Sequence, residues 1–434
     1  MKQTIAVTGS NGMIGTAVVK QLQGAGFRVI ALVRTLPGNS LPENVEYRKA
    51  DMRDGIALTK ALAGAAAVIH LAARKSDEKD SKAINVEGAG NLVAACKANG
   101  VQLIINISTQ SVRLTRKGVY ASTKAQADQI VQSSGIPSIT LLPSVVYSDD
   151  QSGIFQSLFS FTNLPVVPVI GSGEAAYHPI HVDDLAAIIV RCLEHAELAG
   201  QSFDVGGREA WTFNQLVDAV LVVRGLHKDK IHLPIWLCLC LAFATRWMPK
   251  PPLSRSNVLG AAEDIPMNPD SILQITGVEP RPLTKGLQEI AASRQEREKH
   301  NEAAGLLRYI GQSFDRTFQP SNTLTRRFLA ALATHQWNDV RPLDVSLFKK
   351  PSRLRALDSW TRLRHPGCIF QQKLLIAAAI LECDPVSADW LLPATQSKGH
   401  IVWTCVIATI EAAASTVSGL LQSRSPSFKR NAGL

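Results

Sequence analysis

The chain has 434 residues, enough for about three domains, and its 46% hydrophobic and 19% charged residues exclude an intrinsically disordered protein. The net charge of +10 is uneven, because residues 294–434 carry 19 Lys and Arg against 11 Asp and Glu. The nearly neutral front of the chain therefore argues against a nucleic acid partner, and the basic tail fits an acidic protein or membrane surface.

Seven scattered cysteines without Cys-x-x-Cys spacing disfavour both a disulfide framework and a zinc site, and they suit a reducing compartment. The first apolar strand pattern begins at Thr4, which leaves no room for a signal peptide. We therefore expect a cytoplasmic protein that holds no metal ion.

Short apolar strands alternate with helical patterns from residue 3 to about 145. The expected strands are residues 4–8, 28–33, 46–49, 67–70, 103–108 and 138–142, and helical periodicity fills 16–23, 85–98 and 120–132. This alternation predicts an α/β fold, a Rossmann-type doubly wound parallel sheet covered by helices on both faces. We assign it to residues 1–149, with a returning segment at about 176–206.

The first strand runs into a glycine-rich turn with the spacing Gly9-x-x-Gly12-x-x-Gly15, and a helix follows. Glycine allows the backbone N–H groups at the helix N-terminus to approach a pyrophosphate closely. Because strand, turn and helix come in this order, the pattern predicts a dinucleotide-binding site.

The end of the second strand indicates which nicotinamide cofactor binds. A site that prefers NAD usually has an acidic residue there, whereas this strand is followed by Arg34. A guanidinium can pair with a 2′-phosphate, so we favour NADP(H) over NAD(H); the alternative is a solvated surface arginine.

Two later strand ends also carry candidate residues. Asp51 follows the third strand, where a carboxylate can accept a hydrogen bond from the adenine amino group. His70 ends the fourth strand, and we interpret it as a core histidine whose hydrogen bonds are satisfied. Leu71, Ala72 and Ala73 follow it, and this segment, with its small side chains, would let a cofactor lie against the backbone.

Tyr120 and Lys124 are separated by one helical turn and therefore lie on the same face of a helix. An ammonium group nearby favours the phenolate form, so the tyrosine could exchange a proton with a hydroxyl or carbonyl group closer to neutral pH. Together with a dinucleotide site, this spacing predicts a tyrosine acid/base.

Residues 1 to about 290 resemble an extended or atypical short-chain dehydrogenase/reductase of the NAD(P)-dependent epimerase/dehydratase family. The matching segments are residues 8–15, 51, 70–73, 85–88, 107–109, 120–124, 142–147 and 181–184. The resemblance implies that Tyr120 is the acid/base, that Lys124 holds the nicotinamide ribose, and that a Ser or Thr after the fifth strand, here Thr109, polarises the substrate oxygen.

The resemblance and the motifs together give a set of expected cofactor contacts in the glycine turn, at the strand ends and on the helices beside them. These are Gly9, Asn11, Gly12, Met13, Ile14, Gly15, Arg34, Asp51, Met52, Leu71, Ala72, Ala73, Asn85, Ser108, Lys124, Pro143, Val145 and Val146.

The chain departs from the family pattern at the strand-end hydroxyl, because its usual place is occupied by Gln110. Thr109 or Ser111 must take over, and Ser108 is a third choice. The Asp-Glu pair of the dehydratases is missing after Thr109, which disfavours a sugar 4,6-dehydratase. We expect Asp183 and Asp184 to cap a helix that begins at residue 185.

Residues 150–293 are expected to form a smaller substrate-binding lobe. Residues 151–223 contain only two arginines and no lysine, which weakens a nucleotide sugar as substrate and leaves a lipophilic alcohol or ketone. The apolar run 233–247 is too short to span a bilayer, so we interpret it as a buried or interface helix, with shallow membrane docking as the alternative.

The strand–helix rhythm ends at about residue 294, and residues 294–434 are expected to form a basic, mainly helical extension with helices at 323–335, 371–382 and 403–421. The apolar run 401–421 has Glu411 at its centre, which favours a packed helix over a membrane span. This extension or residues 233–247 would contact a membrane or a protein, and a homodimer is compatible with the pattern.

The sequence supports two functions. The first is an enzyme that transfers hydride to or from a carbinol or ketone, with the Tyr120–Lys124 pair handling the proton. The second is a non-catalytic dinucleotide-binding accessory subunit or redox sensor, against which the retention of both Tyr120 and Lys124 counts.

Overall fold

A computed structural model of the protein describes residues 3–36, 45–74, 80–149, 153–162, 164–245, 248, 253, 255–311 and 319–334. The chain divides into two units, Met1–Ala291 and Ala292–Leu434. The first unit contains all the strands described below and both clefts of the candidate site.

A seven-stranded, entirely parallel sheet forms the centre of the first unit. Its strand order is β11-β6-β5-β4-β1-β2-β3, which confirms the predicted Rossmann-type α/β fold. The strands are β1 (Thr4–Thr8), β2 (Arg28–Val33), β3 (Val45–Lys49), β4 (Ala67–His70), β5 (Leu103–Ile107), β6 (Ser138–Pro143) and β11 (Ser202–Val205).

Helices cover both faces of the sheet, because alternate residues of each strand point to opposite sides. Along β1, Ile5 and Val7 face one hydrophobic cluster, whereas Ala6 faces the other. The first face is covered by α1 (Met13–Gly24) and α7 (Val182–Arg191) and the second by α2 (Gly55–Ala61), α4 (Gly88–Ala98) and α5 (Val119–Gln132). A short α3 (Asp80–Lys82) and a π-helical turn (Ala83–Glu87) lead into α4.

The remaining elements of the first unit form a smaller lobe with its own core, in which Tyr147, Phe155, Leu216 and Leu287 are buried. Three strand pairs, β7 with β10, β9 with β12 and β8 with β13, contribute to this lobe. Their bounds are β7 (Val146–Tyr147), β8 (Val167–Ile170), β9 (Ala176–Tyr177), β10 (Ile180–His181), β12 (Trp211–Thr212) and β13 (Lys230–Leu233).

The other helices follow in chain order. They are α6 (Gly153–Phe161), α8 (Phe213–Val223), α9 (Ile235–Ala244), α10 (Arg255–Ala262), α11 (Asp270–Thr276), α12 (Leu283–Gly311) and α13 (Asn322–Thr334). Helix α13 covers most of the expected helix 323–335. The expected helices at 371–382 and 403–421 and the apolar run 401–421 lie outside the described residues.

The helix expected to begin at residue 185 starts earlier, at Val182, and the prediction that Asp183 and Asp184 cap it is wrong. The capping residue is His181, whose imidazole accepts a hydrogen bond from the Asp183 backbone N–H. Both aspartates lie in the first turn, where negative charge is favourable, and Asp184 accepts hydrogen bonds from Arg281, 97 residues away.

The apolar run 233–247 contains the short helix α9, and this helix is only partly buried. Cys238 and Ala242 pack inward, whereas Trp236 and Phe243 are each 66% exposed. Among the described residues, no helix is both long and apolar enough to cross a membrane.

Candidate active site

The parallel strands end at one edge of the sheet, and two clefts open there. The cofactor cleft lies beyond β1, β2 and β4 and is lined by residues 8–9, 11–12, 32–34, 50–52, 58, 71–74 and 84. The Tyr120 cleft lies beyond β5 and β6 and is lined by residues 109, 111, 114, 118, 120–121, 144–146 and 256–257. Ligands of open α/β sheets bind at this edge.

The glycine turn of the cofactor cleft leaves no space for side chains. Gly9 has φ +68°, and a Cβ atom placed on it would lie 2.9 Å from the Ala72 backbone nitrogen. A Cβ atom on Gly15 would collide with the Gly9 carbonyl oxygen. These contacts explain why both positions need glycine, and why helix α1 can approach the strand closely.

Helix α1 starts directly after this turn, with Gly12 as a capping residue that offers no side-chain hydrogen bond. Its first turn contains no acidic residue, so the N-terminal N–H groups meet no competing negative charge there. A pyrophosphate is favoured at such a helix end, and this cradle fits an NAD(P) cofactor.

Thr8 connects the turn to the loop after β4. Its hydroxyl accepts hydrogen bonds from the backbone N–H groups of Leu71 and Ala72, each 3.1 Å long, and lies 2.8 Å from Nδ1 of His70. His70 is therefore a satisfied core histidine, as predicted. Burial, with a further contribution from the Lys124 charge, lowers the pKa of His70 to about 3, so its ring is neutral.

Charged residues form the rim of the cofactor cleft. Asp51 accepts hydrogen bonds from the Arg53 side chain at 2.8 and 3.0 Å, and this pairing, with the charge of Arg34, lowers the pKa of Asp51 to about 2. Arg34 makes no ion pair with another described residue, although it lines the same cleft. A positive charge is thus available where β2 ends.

Other predicted cofactor residues lie away from the cleft surface, and Asn85 is the clearest case. It is buried, its Oδ1 accepts from the Arg74 backbone N–H at 2.7 Å, and its Nδ2 donates to the Thr123 hydroxyl at 2.9 Å. Asn85 therefore connects the loop after β4 to helix α5. Neither cleft is lined by Met13, Ile14, Gly15, Asn85, Ser108, Lys124 or Pro143.

The Tyr120 cleft combines the predicted residues Thr109, Tyr120, Val145 and Val146. The structure adds Ser256 and Asn257 from helix α10, which sequence reasoning missed. Gly118 explains how α10 comes so close, because a Cβ atom there would collide with Ser256. No local signal in the sequence could have connected α10 to Tyr120, more than 130 residues earlier.

The electrostatics around Tyr120 differ from the sequence-based expectation. Burial, with a smaller contribution from the Asp128 charge, raises the pKa of Tyr120 to about 12, so the expected drop toward neutrality is not found. Lys124 is 2% exposed, and its ammonium group donates to the Ile107 carbonyl oxygen at 2.8 Å. At neutral pH the tyrosine is consequently a protonated phenol.

The hydroxyl groups after β5 point in different directions. Ser108 is buried and donates to Asp128, whereas Thr109 and Ser111 line the cleft with their hydroxyl oxygens 3.4 Å apart. Gln110, at the usual position of the family hydroxyl, is 8% exposed and lines neither cleft. The cleft hydroxyls beside Tyr120 are therefore those of Thr109, Ser111, Ser144 and Ser256.

Residues 5–206 match the NAD dependent epimerase/dehydratase family. The chain is 26% identical to the 2-alkyl-3-oxoalkanoate reductase of Stenotrophomonas maltophilia, covering 51% of this chain and 76% of that protein. It is 25% identical to the ceramide reductase of Caulobacter vibrioides, covering 53% and 73%. Matches to uncharacterized mycobacterial proteins span 23% of their length.

Solved structures share the fold. The UDP-glucose 4-epimerase of Thermotoga maritima, crystallised with UDP-glucose, has a TM-score of 0.54 and 20% identity over 68% of this chain and 99% of that one. The dTDP-glucose 4,6-dehydratase of Streptomyces venezuelae, crystallised with NAD, has a TM-score of 0.54 and 19% identity over 67% and 97%.

Proposed function

We propose that the protein is an NADP(H)-dependent oxidoreductase acting on an uncharged, lipophilic ketone or secondary alcohol, because residues 5–206 match the NAD dependent epimerase/dehydratase family. The observation that carries the proposal is the position of Tyr120. Its neutral phenol lines a cleft at the carboxyl edge of the sheet, the same edge at which the cleft with the glycine turn lies.

A nicotinamide cofactor held at Gly9, Asn11 and Gly12 would supply a hydride to the carbonyl carbon in the direction of reduction. Tyr120 donates its phenolic proton to the carbonyl oxygen, and a proton from solvent restores the phenol. The raised pKa of Tyr120 keeps this proton in place at neutral pH. Thr109 is the cleft hydroxyl that orients the carbonyl oxygen, with Ser111 in contact with it. Lys124 follows Tyr120 by one turn on the same face of helix α5 and donates to the Ile107 carbonyl oxygen.

The lining of the Tyr120 cleft favours a substrate without charge. Its described lining residues are apolar or hydroxyl- and amide-bearing, and Tyr120 is the one titratable group among them. A nucleotide sugar carries a diphosphate that would require cations, which this lining lacks. The relative named as a ceramide reductase supports a lipophilic substrate without charge, and the relative named as a 2-alkyl-3-oxoalkanoate reductase supports a lipophilic ketone, although an alkanoate carries a carboxylate.

The preference for NADP(H) depends on Arg34. Its guanidinium lies in the cofactor cleft where a 2′-phosphate would require a cation, and Asp51 is already paired with Arg53. Gly9, Asn11 and Gly12 would hold the pyrophosphate, and Leu71, Ala72 and Ala73 would lie along the cofactor.

The test is NADPH oxidation by the full chain with a panel of alkyl ketones and 3-oxo lipids. Tyr120→Phe is expected to reduce kcat about a thousandfold, because general acid catalysis is lost, with an unchanged NADPH dissociation constant. Tyr47→Phe makes the same chemical change in β3, outside both clefts, and serves as the control. If the wild type binds NADPH and reduces no ketone of the panel, the accessory subunit is the better interpretation.

A further inference from the structure

A buried carboxylate lies on the same helix face as the Tyr120–Lys124 pair. Tyr120, Lys124 and Asp128 follow at intervals of four residues along α5 and therefore line one face. Asp128 is only 7% exposed. An ionised carboxylate is costly in such a place unless it is hydrogen-bonded, so its partners indicate why it is there.

Both carboxylate oxygens of Asp128 are bound by side chains of β5 and the residue after it. Asn106 donates its amide N–H to Oδ1 at 2.8 Å, and Ser108 donates its hydroxyl to Oδ2. Because Ser108 is turned into the core, its hydroxyl is withdrawn from the Tyr120 cleft. The next residue, Thr109, lines that cleft instead.

The charge of Asp128 also acts on both members of the pair. Burial lowers the pKa of Lys124, and the Asp128 carboxylate opposes this effect. The same negative charge contributes to the raised pKa of Tyr120. Among the described residues, the other titratable group that interacts with the pair is His70, from β4, which is neutral. Asp128 is thus the anion that balances the Lys124 ammonium among these groups.

We propose that Asp128 is a positioning residue of the active site, which holds Ser108 in the core and places a buried carboxylate on the helix face that Tyr120 and Lys124 share. This inference rests on the proposed acid/base role of Tyr120. This positioning role explains why a charged residue occupies a buried position of α5, where a helix packed against a sheet ordinarily has an apolar residue.

The experiment is the pH dependence of kcat/KM for NADPH-driven ketone reduction by the full chain. Asp128→Asn removes the charge and keeps the shape. Without the carboxylate, Tyr120 and Lys124 both lose their protons more readily, so the alkaline limb is expected to move down by about one pH unit. We expect the NADPH dissociation constant to stay unchanged.

Two further variants separate charge from structure. Ser108→Ala removes a hydrogen bond but keeps the carboxylate, and Asp128→Glu keeps the charge, so both should retain the wild-type alkaline limb. Asp128→Ser replaces Asp128→Asn if the asparagine variant fails to fold. The proposal is overturned if Asp128→Asn or Asp128→Ser folds and its alkaline limb stays at the wild-type pH.

A second measurement is independent of turnover. Alkaline titration of the tyrosinate absorbance, taken as the difference between a protein and its Tyr120→Phe derivative, reports Tyr120 alone. Asp128→Asn should lower the midpoint of this difference curve, and an unchanged midpoint contradicts the role of Asp128. If the midpoint falls but the wild type reduces no ketone, the positioning role stands and the proposed function fails.

Discussion

The two clefts at the carboxyl edge of the sheet are built by different means. In the cofactor cleft, glycines lie where a side chain would collide with the backbone, and the lining includes the charged residues Arg34, Asp51 and Arg74. The Tyr120 cleft is formed by residues that follow β5 and β6 and by side chains from α5, β7 and α10, and its lining carries no charged residue among those described. The charged lining of the first cleft would thus suit an anionic cofactor, and the uncharged lining of the second would suit a neutral substrate.

From this contrast we expect a single substitution to weaken ligand binding more in the cofactor cleft than in the Tyr120 cleft. A cradle of backbone N–H groups depends on a few residues adjacent in sequence, and a single methyl group can close it. A wall of side chains contributed by distant elements can shift slightly when one residue changes. The predictions below test this difference, in order of the expected size of the effect.

The largest effect is expected for Gly15→Ala in the cofactor cleft. The added methyl group would collide with the Gly9 carbonyl oxygen, so the turn must open at a cost of about 3 kcal/mol, roughly a hundredfold in NADPH affinity. Fluorescence titration with NADPH measures the loss. Gly90→Ala adds a methyl group to helix α4 in open space and is the control. Equal affinity of both variants would refute the backbone cradle.

Arg34→Ala should be the next largest change, and it should be selective. Losing a charge-assisted hydrogen bond to a 2′-phosphate costs about 2 kcal/mol, roughly thirtyfold in NADPH affinity, with NADH affinity unaltered. Arg28→Ala changes the same residue type at the opposite end of β2 and controls for net charge. An equal loss of affinity for NADH and NADPH would mean that Arg34 does not bind the 2′-phosphate.

Helix α9 offers a test of the apolar surroundings of the Tyr120 cleft, because α9 packs against α10. If the exposed Trp236 and Phe243 insert into a lipid surface, the double change Trp236→Ser and Phe243→Ser should reduce partitioning onto phosphatidylcholine–phosphatidylglycerol vesicles about tenfold.

The matched control for this vesicle experiment is Ile56→Ser, which removes a 73% exposed apolar side chain on α2. Co-sedimentation with vesicles and the elution volume in size-exclusion chromatography are measured together. A wild type that stays off the vesicles but elutes as a dimer, and a double variant that elutes as a monomer, would assign α9 to a homodimer contact instead.

The smallest effect is expected for Gly118→Ala in the Tyr120 cleft. The new methyl group would collide with Oγ of Ser256 and lie 2.9 Å from its Cβ, so the Ser256 hydroxyl must rotate and α10 must shift slightly; we expect a cost of about 1 kcal/mol, or roughly a fivefold increase in KM for the ketone. The NADPH dissociation constant should not change. The control is Gly260→Ala, which adds a methyl group to α10 at a position with open space around it. If KM for the ketone rises about a hundredfold, as much as the NADPH affinity is expected to fall in Gly15→Ala, the two clefts do not differ in the way proposed.

The sequence determined six of the seven strands of the sheet and the glycine turn because their signals are local, whereas β11 is not among the predicted strands. The bounds of β1, β2 and β4 agree with the alternation of apolar strands and helices to the residue, and β5 and β6 differ from it by one residue at their ends. The glycine turn and the Tyr120–Lys124 spacing each occupy fewer than eight residues, so periodicity and backbone sterics suffice to interpret them.

Only the tertiary structure decided which polar groups bind one another. Ser108 donates to Asp128, Asn85 binds Thr123, and Asp184 accepts from Arg281 instead of capping its own helix. The arrival of α10 at the Tyr120 cleft is also beyond any local pattern. Buried polar groups must find partners wherever the fold brings donors and acceptors within about 3 Å, and such distances are set by packing between segments far apart in the chain.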